Sequence, residues 1–180
     1  MMPSIVMQTI ENRSAAEEAI RRRHYGVIET GGGELIAIHF RLWPKLIAWP
    51  EVWPAGPVYH ASGAPDRCLL YYNQPWRFPN FLALKYIVST RETSCATIRA
   101  ALMTLDGVAR TKGTDALLCD AFNTRLSDWL MKRLGWQPHR PQRWHRNYVK
   151  RFYGCYPDIS VPWRAAEPVV ASTPAAELAL

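Results

Sequence analysis

Two kinds of hydrophobic spacing divide the chain near residue 80. Before it, Glu34 to Trp43 alternates, with Leu35, Ala37 and His39 on one face and Ile36, Ile38, Phe40 and Leu42 on the other. That period of two predicts a strand with one fully apolar side. Upstream, Ser14-Ala15-Ala16-Glu17 is a capping box opening a short helix over Ala15 to His24, which ends near Gly26. Its face is weakly apolar, so it belongs on the surface. Gly31-Gly32-Gly33 has no Gly-Lys-Ser/Thr after it and reads as a turn before the strand, not as a phosphate-cradling loop. From Pro44 to Pro79, prolines 44, 50, 54, 57, 65, 75 and 79 stand among Trp43, Trp49, Trp53 and Trp76. Proline at that density excludes helix interiors and central strands. Only Arg67 to Tyr72 reads as a strand there, and a loop of this length is a candidate substrate-side region.

After residue 80 the pattern is regular. Phe81 to Val88 is an aromatic and aliphatic strand. Ala96 to Lys112 carries Ile98, Ala101, Leu102, Leu105, Val108 and Ala109 at helical spacing, with Asp106 and Arg110 as an i,i+4 pair and Gly113 as a stop. Ala116 to Phe122 is an apolar run broken by Asp120, as in a strand covered on both faces. Asn123 caps a second helix, Thr124 to Leu134, with Leu126, Trp129, Leu130 and Leu134 inward and Gly135 ending it. A last strand covers about Trp144 to Phe152. A strand, a long helix and another strand make a right-handed crossover, so the strands at 81–88 and 116–122 are expected to be parallel neighbours in an α/β mixed sheet. One domain over residues 1–156 and a Pro/Ala-rich flexible tail over 157–180 complete the organisation.

Composition narrows the function classes. With 180 residues, 48% hydrophobic and 21% charged, the chain reads as a single globular domain. A net charge of +7 favours anionic partners: a phosphate-bearing cofactor, nucleic acid or a membrane surface. Cys68, Cys95, Cys119 and Cys155 show no C-x-x-C pair, which argues for reduced thiols and against a metal site. Glu11 precedes any long apolar run and no segment reaches the length of a membrane span, so a soluble, cytoplasmic protein is expected.

Two segments carry candidate chemistry. Between the strand at 81–88 and the long helix stands Arg91-Glu92-Thr93-Ser94-Cys95-Ala96, and after the next strand comes Asn123-Thr124-Arg125-Leu126-Ser127-Asp128 through Gly135-Trp136. With the element order, these resemble the GNAT superfamily of N-acetyltransferases over about residues 81–153. Members carry Q/R-x-x-G-x-G/A; here it is R-x-x-S-x-A, with Ser94 in the central glycine's place. The motif's physics is an anion site, backbone N–H groups at a helix start facing a diphosphate.

The resemblance implies a GNAT-like fold that admits acetyl-CoA where two parallel strands part. It also implies cofactor contacts from Val88, Thr90, Arg91, Ser94, Cys95, Ala96, Thr97, Asn123 and Ser127, with main-chain N–H near Val88 to Thr90 polarising the thioester carbonyl. It places Met131 where active members often carry a proton-donating tyrosine. Tyr148 or Tyr86 could stand in as the acid, and Asp120 or His60 as the base for an amine acceptor.

A different reading comes from Trp129 to Pro157, which lacks acidic residues. Lys132, Arg133, Arg140, Arg143, Arg146, Lys150 and Arg151 are interleaved there with Trp136, Trp144, Tyr148 and Tyr153. Cations among aromatics are what a nucleic-acid or other polyanion surface uses, so a non-catalytic module on the same scaffold is the alternative.

Overall fold

The computed structural model describes residues 8–10, 13–41, 65–121, 127–139 and 146–158. The chain runs through β1 (Gln8–Ile10), α1 (Arg13–Arg22), β2 (Tyr25–Gly31), β3 (Glu34–Arg41), β4 (Arg67–Asn73) and β5 (Phe81–Ser89). It continues through α2 (Cys95–Lys112), β6 (Ala116–Ala121), α3 (Asp128–Arg133), β7 (Gln137–Pro138) and β8 (Arg146–Arg151). One eight-stranded sheet joins them in the order β1-β3-β2-β4-β5-β6-β8-β7. All neighbours are antiparallel except β5 and β6, which are parallel and joined through α2. The expected parallel neighbours are present. No helix among the described residues is long and apolar enough to cross a membrane.

The core lies between the sheet and α2. Leu102, Leu105, Val108 and Ala109 of α2 pack with Ile28, Leu70, Tyr72, Leu82, Leu84 and Leu117 of the strands. Gly113 ends α2 at φ 65°, a left-handed conformation that glycine adopts without a Cβ penalty, and Thr114 returns its N–H to the Ala109 carbonyl at 3.0 Å.

The strand β2 has no counterpart among the elements read from the sequence, yet it is central and almost fully buried. Its two polar side chains, Glu29 and Thr30, hide its pattern. Thr30 Oγ1 donates to the Thr97 carbonyl at 3.0 Å on the α2 face, while Glu29 accepts from Arg67 at 2.6 Å and pairs with His39 at 2.8 Å on the other. The hairpin from β2 to β3 turns on Gly32 and Gly33, both at positive φ (61° and 80°), the mirror-image turn that matches strand twist.

A bulge then changes the expected strand faces. Glu29 lies opposite Ala37 but Thr30 opposite Leu35, leaving Ile36 as the extra residue. Leu35 therefore joins Ile38 and Phe40 in the core instead of sharing a face with Ala37 and His39.

The second short helix differs from expectation. It begins at Asp128 with Ser127 as N-cap, whose side chain accepts the Leu130 N–H at 3.2 Å. Asn123 lies outside the described residues. The later start rotates the inward face: Met131 is fully buried, while Trp129 is 66% exposed, with the Arg133 guanidinium 5.1 Å from its ring centroid.

Candidate functional site

The strands β5 and β6 pair from Phe81↔Ala116 to Leu84↔Cys119, and the ladder ends there although β5 continues to Ser89 and β6 to Ala121. The cause is local. Tyr72 pairs with Leu84 but Tyr71 with Tyr86, so Lys85 is a bulged residue that bends β5 and raises its twist. Beyond it β5 follows β4, up to Cys68↔Ser89, while β6 follows β8, up to Ala121↔Arg146. The two parallel strands thus part at their C-terminal ends into a fork whose base is the row Leu84–Cys119–Tyr148. This is the parting of two parallel strands that the resemblance implies.

No family model and no curated protein matches the chain. Among solved structures, the crystal structure of Tetrahymena GCN5 matches at 12% identity over 51% of this chain and 62% of that one, with a TM-score of 0.40. Nourseothricin acetyltransferase matches at 12% identity over 81% of this chain and 98% of that one, with a TM-score of 0.39.

On the β5 wall, Thr90 N–H donates to the Arg67 carbonyl at 3.0 Å, which makes Thr90 and Arg67 a hydrogen-bonded pair of the β4–β5 ladder. Alternation gives Val88 the same orientation, toward Leu69. The amides of Val88 and Thr90, expected to polarise a carbonyl, are therefore ladder amides, and the strand turns Ile87 and Ser89 toward the fork. The Thr90 side chain is buried too, accepting from the Arg67 N–H at 3.1 Å and meeting the Thr93 hydroxyl at 2.9 Å.

The start of α2 is the expected anion site. Ser94 is its N-cap at φ −73°, ψ 156°, extended backbone open to any residue, so a serine in the glycine's place costs no strain. Its donors are largely taken. Ser94 N–H donates to Asp66 Oδ1 at 2.7 Å, Thr97 N–H to Ser94 Oγ at 3.2 Å, and Thr93 N–H to the Thr90 carbonyl at 3.3 Å. Cys95 and Ala96 are exposed, and their N–H groups carry no hydrogen bond among the described residues. Arg91 is exposed beside Glu92. Burial opposes ionisation of Asp66, but hydrogen bonds from Ser94, Thr97 and Gly32 outweigh it and hold the carboxyl below its usual range. The helix start that the resemblance offers to a diphosphate is thus already met by the Asp66 carboxylate.

Tyr148 stands opposite Cys119 in the row at the fork's base and is 3% exposed. Its hydroxyl donates to Asp128 Oδ1 in the first turn of α3, and Arg146 reaches the same oxygen at 3.3 Å. Burial first, then the Asp128 carboxylate, push the phenol up, and the same hydrogen bond holds Asp128 down. Tyr148, one of the two tyrosines expected to stand in for Met131, thus lies beside α3 with its hydroxyl bonded to Asp128. Asp120 is exposed on β6, one residue past the last rung shared with β5. Ser127 is spent as the α3 cap, and Tyr86 stacks on Tyr71 at 4.2 Å between ring centroids. His60 lies outside the described residues.

Among the described residues, Lys150, Trp136 and Tyr148 of the basic stretch are turned away from solvent. Lys150 points inward, to Asp106 at 2.6 Å, with side chains 13% and 6% exposed. This pair replaces the Asp106–Arg110 contact expected along the helix. Trp136 is 2% exposed and packs in the core, which removes it and Tyr148 as base-stacking surfaces. Arg146 engages Asp128, and Arg151 donates to Gln137 Oε1 at 2.9 Å. Arg140 and Arg143 lie outside the described residues.

Proposed function

We propose that the chain is an N-acyltransferase that seats an acyl thioester, of the acetyl-CoA class, in the fork between β5 and β6 and passes the acyl group to an amine. The observation that carries this reading is the end of the β5–β6 ladder at Leu84↔Cys119 while both strands run on. A parallel pair buried in a sheet gives up backbone hydrogen bonds by parting, and such a gap admits a narrow chain bearing its own amides.

In this reading the amine nitrogen attacks the thioester carbonyl carbon, the C–N bond forms and the C–S bond breaks. Ile87 and Ser89 present main chain to the arm and its carbonyl. Tyr148 gives its proton to the departing sulfur, and the proton shed by the attacking amine goes to Asp120, exposed at the fork's mouth. The raised pKa keeps the phenol protonated at neutral pH, so the proton is in place when the thiolate departs.

The test is transfer of a labelled acetyl group from acetyl thioesters to a panel of primary amines, followed by mass spectrometry of the products. Acetylated amine in excess of the enzyme is the expected result. No product from any donor, with no binding of any thioester at millimolar concentration, removes the proposal.

A further inference from the structure

Resting on that reading, we infer that the donor is recognised through its acyl-pantetheine arm and not through a nucleotide diphosphate. The observation is the occupant of the α2 start. Asp66 places one carboxylate oxygen 2.7 Å from Ser94 N and the other 3.2 Å from Ser94 Oγ and 3.1 Å from Gly32 N. These contacts come at a backbone cost. Asp66 sits at φ 53°, a left-handed conformation uncommon outside glycine, so the turn before β4 is bent to aim a negative charge at the positive end of an 18-residue helix.

The hairpin tip closes in from the other side. Gly33 N donates to Thr97 Oγ1 at 2.9 Å, and a Cβ on Gly33 would stand 3.5 Å from that of Ala96. The cap, the carboxylate and the tip form one network that uses the Ser94 and Thr97 amides internally. A diphosphate approaching Cys95 and Ala96 meets a like charge within a residue's reach and two amides in place of a ring.

The chemistry left to grip a donor is the main chain of the parted strands, which an acyl-pantetheine thioester meets with its own amides whether it is part of coenzyme A or borne as a phosphopantetheine on a carrier protein. Calorimetric titration of the full chain with acetyl-CoA, acetyl-pantetheine and an acetyl-phosphopantetheinyl carrier protein tests this. The expected result is that acetyl-pantetheine binds within about fivefold of acetyl-CoA. Tighter binding of the carrier protein assigns a carrier-borne donor; equal binding assigns a free one.

Asp66→Asn is the companion variant. It keeps an oxygen for the Ser94 N–H, and asparagine tolerates left-handed backbone. It is expected to tighten acetyl-CoA about fivefold, from the loss of one nearby like charge, and to leave acetyl-pantetheine unchanged. Acetyl-CoA binding more than fivefold tighter than acetyl-pantetheine, or an Asn variant with unchanged acetyl-CoA affinity, overturns the inference while leaving acyl transfer standing. Binding of none of the three removes both.

Discussion

Replacing Lys150 by methionine tests how much of the fold hangs on one buried ion pair. Lys150 Nζ lies 2.6 Å from Asp106 Oδ2, and Asp106 Oδ1 has no hydrogen-bond partner among the described residues. Burial pushes the Asp106 carboxyl up, and the Lys150 ammonium holds it back. At an effective dielectric of about 20, charges this close attract by roughly 6 kcal/mol, much of it cancelled by desolvation of both groups. Methionine keeps the apolar stem and removes the charge, so the loss is that of an uncompensated carboxylate, about 3–5 kcal/mol for such pairs.

Protonation sets a ceiling on that loss. A carboxyl with an unfolded pKa near 3.9 can be neutralised at pH 7 for about 4 kcal/mol, and at pH 5 for about 1.5 kcal/mol. The expected destabilisation is therefore about 3–4 kcal/mol at pH 7, shrinking to roughly 1.5 kcal/mol at pH 5. The readout is urea unfolding followed by tryptophan fluorescence at both pH values. The double variant Asp106→Leu, Lys150→Met should lie within about 1 kcal/mol of the parent, because no charge is stranded. A single-variant loss below about 1 kcal/mol at pH 7, or one that ignores pH, refutes the reasoning.

Other outcomes follow from single contacts. Lys112 donates to the Arg23 carbonyl and Gln74 Oε1, both at 2.8 Å, and burial pulls its ammonium down to about 8. The unfolded chain then binds this proton more tightly, so the desolvation cost is full below pH 8 and is relieved between pH 8 and the ordinary lysine value of 10.5. Stability relative to Lys112→Met should rise through that window; parallel pH profiles would contradict it. Tyr72 is fully buried over Gly26, and its hydroxyl has no partner among the described residues. Tyr72→Phe should be neutral or stabilising by up to about 1 kcal/mol in thermal unfolding, and a clear loss would reveal a missed hydrogen bond. Tyr148→Phe keeps the ring and should lower kcat by about 10²-fold or more with KM little changed; full activity would exclude Tyr148 as the proton donor.

Periodicity alone marked the elements that carry the fork. The strand at Phe81–Ser89, the helix at Cys95–Lys112 and the strand at Ala116–Ala121 each show a mainly apolar pattern, broken in the strands by Lys85 and Asp120, because each buries most of its apolar surface. Their order dictated a parallel pair.

What tertiary structure alone decided are the places where a polar group is satisfied from far along the chain. β2 escaped notice because Thr30 finds Thr97 and Glu29 finds His39 and Arg67, partners remote in sequence. Lys150 looked like part of a basic surface until Asp106, 44 residues away, drew it inward. The bulges at Ile36 and Lys85 reverse faces and open the fork without leaving a mark in local pattern, since a one-residue slip shows only against a neighbouring strand. The motif at Arg91–Ala96 was visible as a helix start, but whether its amides face a ligand or a carboxylate depended on Asp66, 28 residues before Ser94. Local spacing encodes which surface a segment buries; the charge that meets a helix end is set by whichever loop the fold brings there.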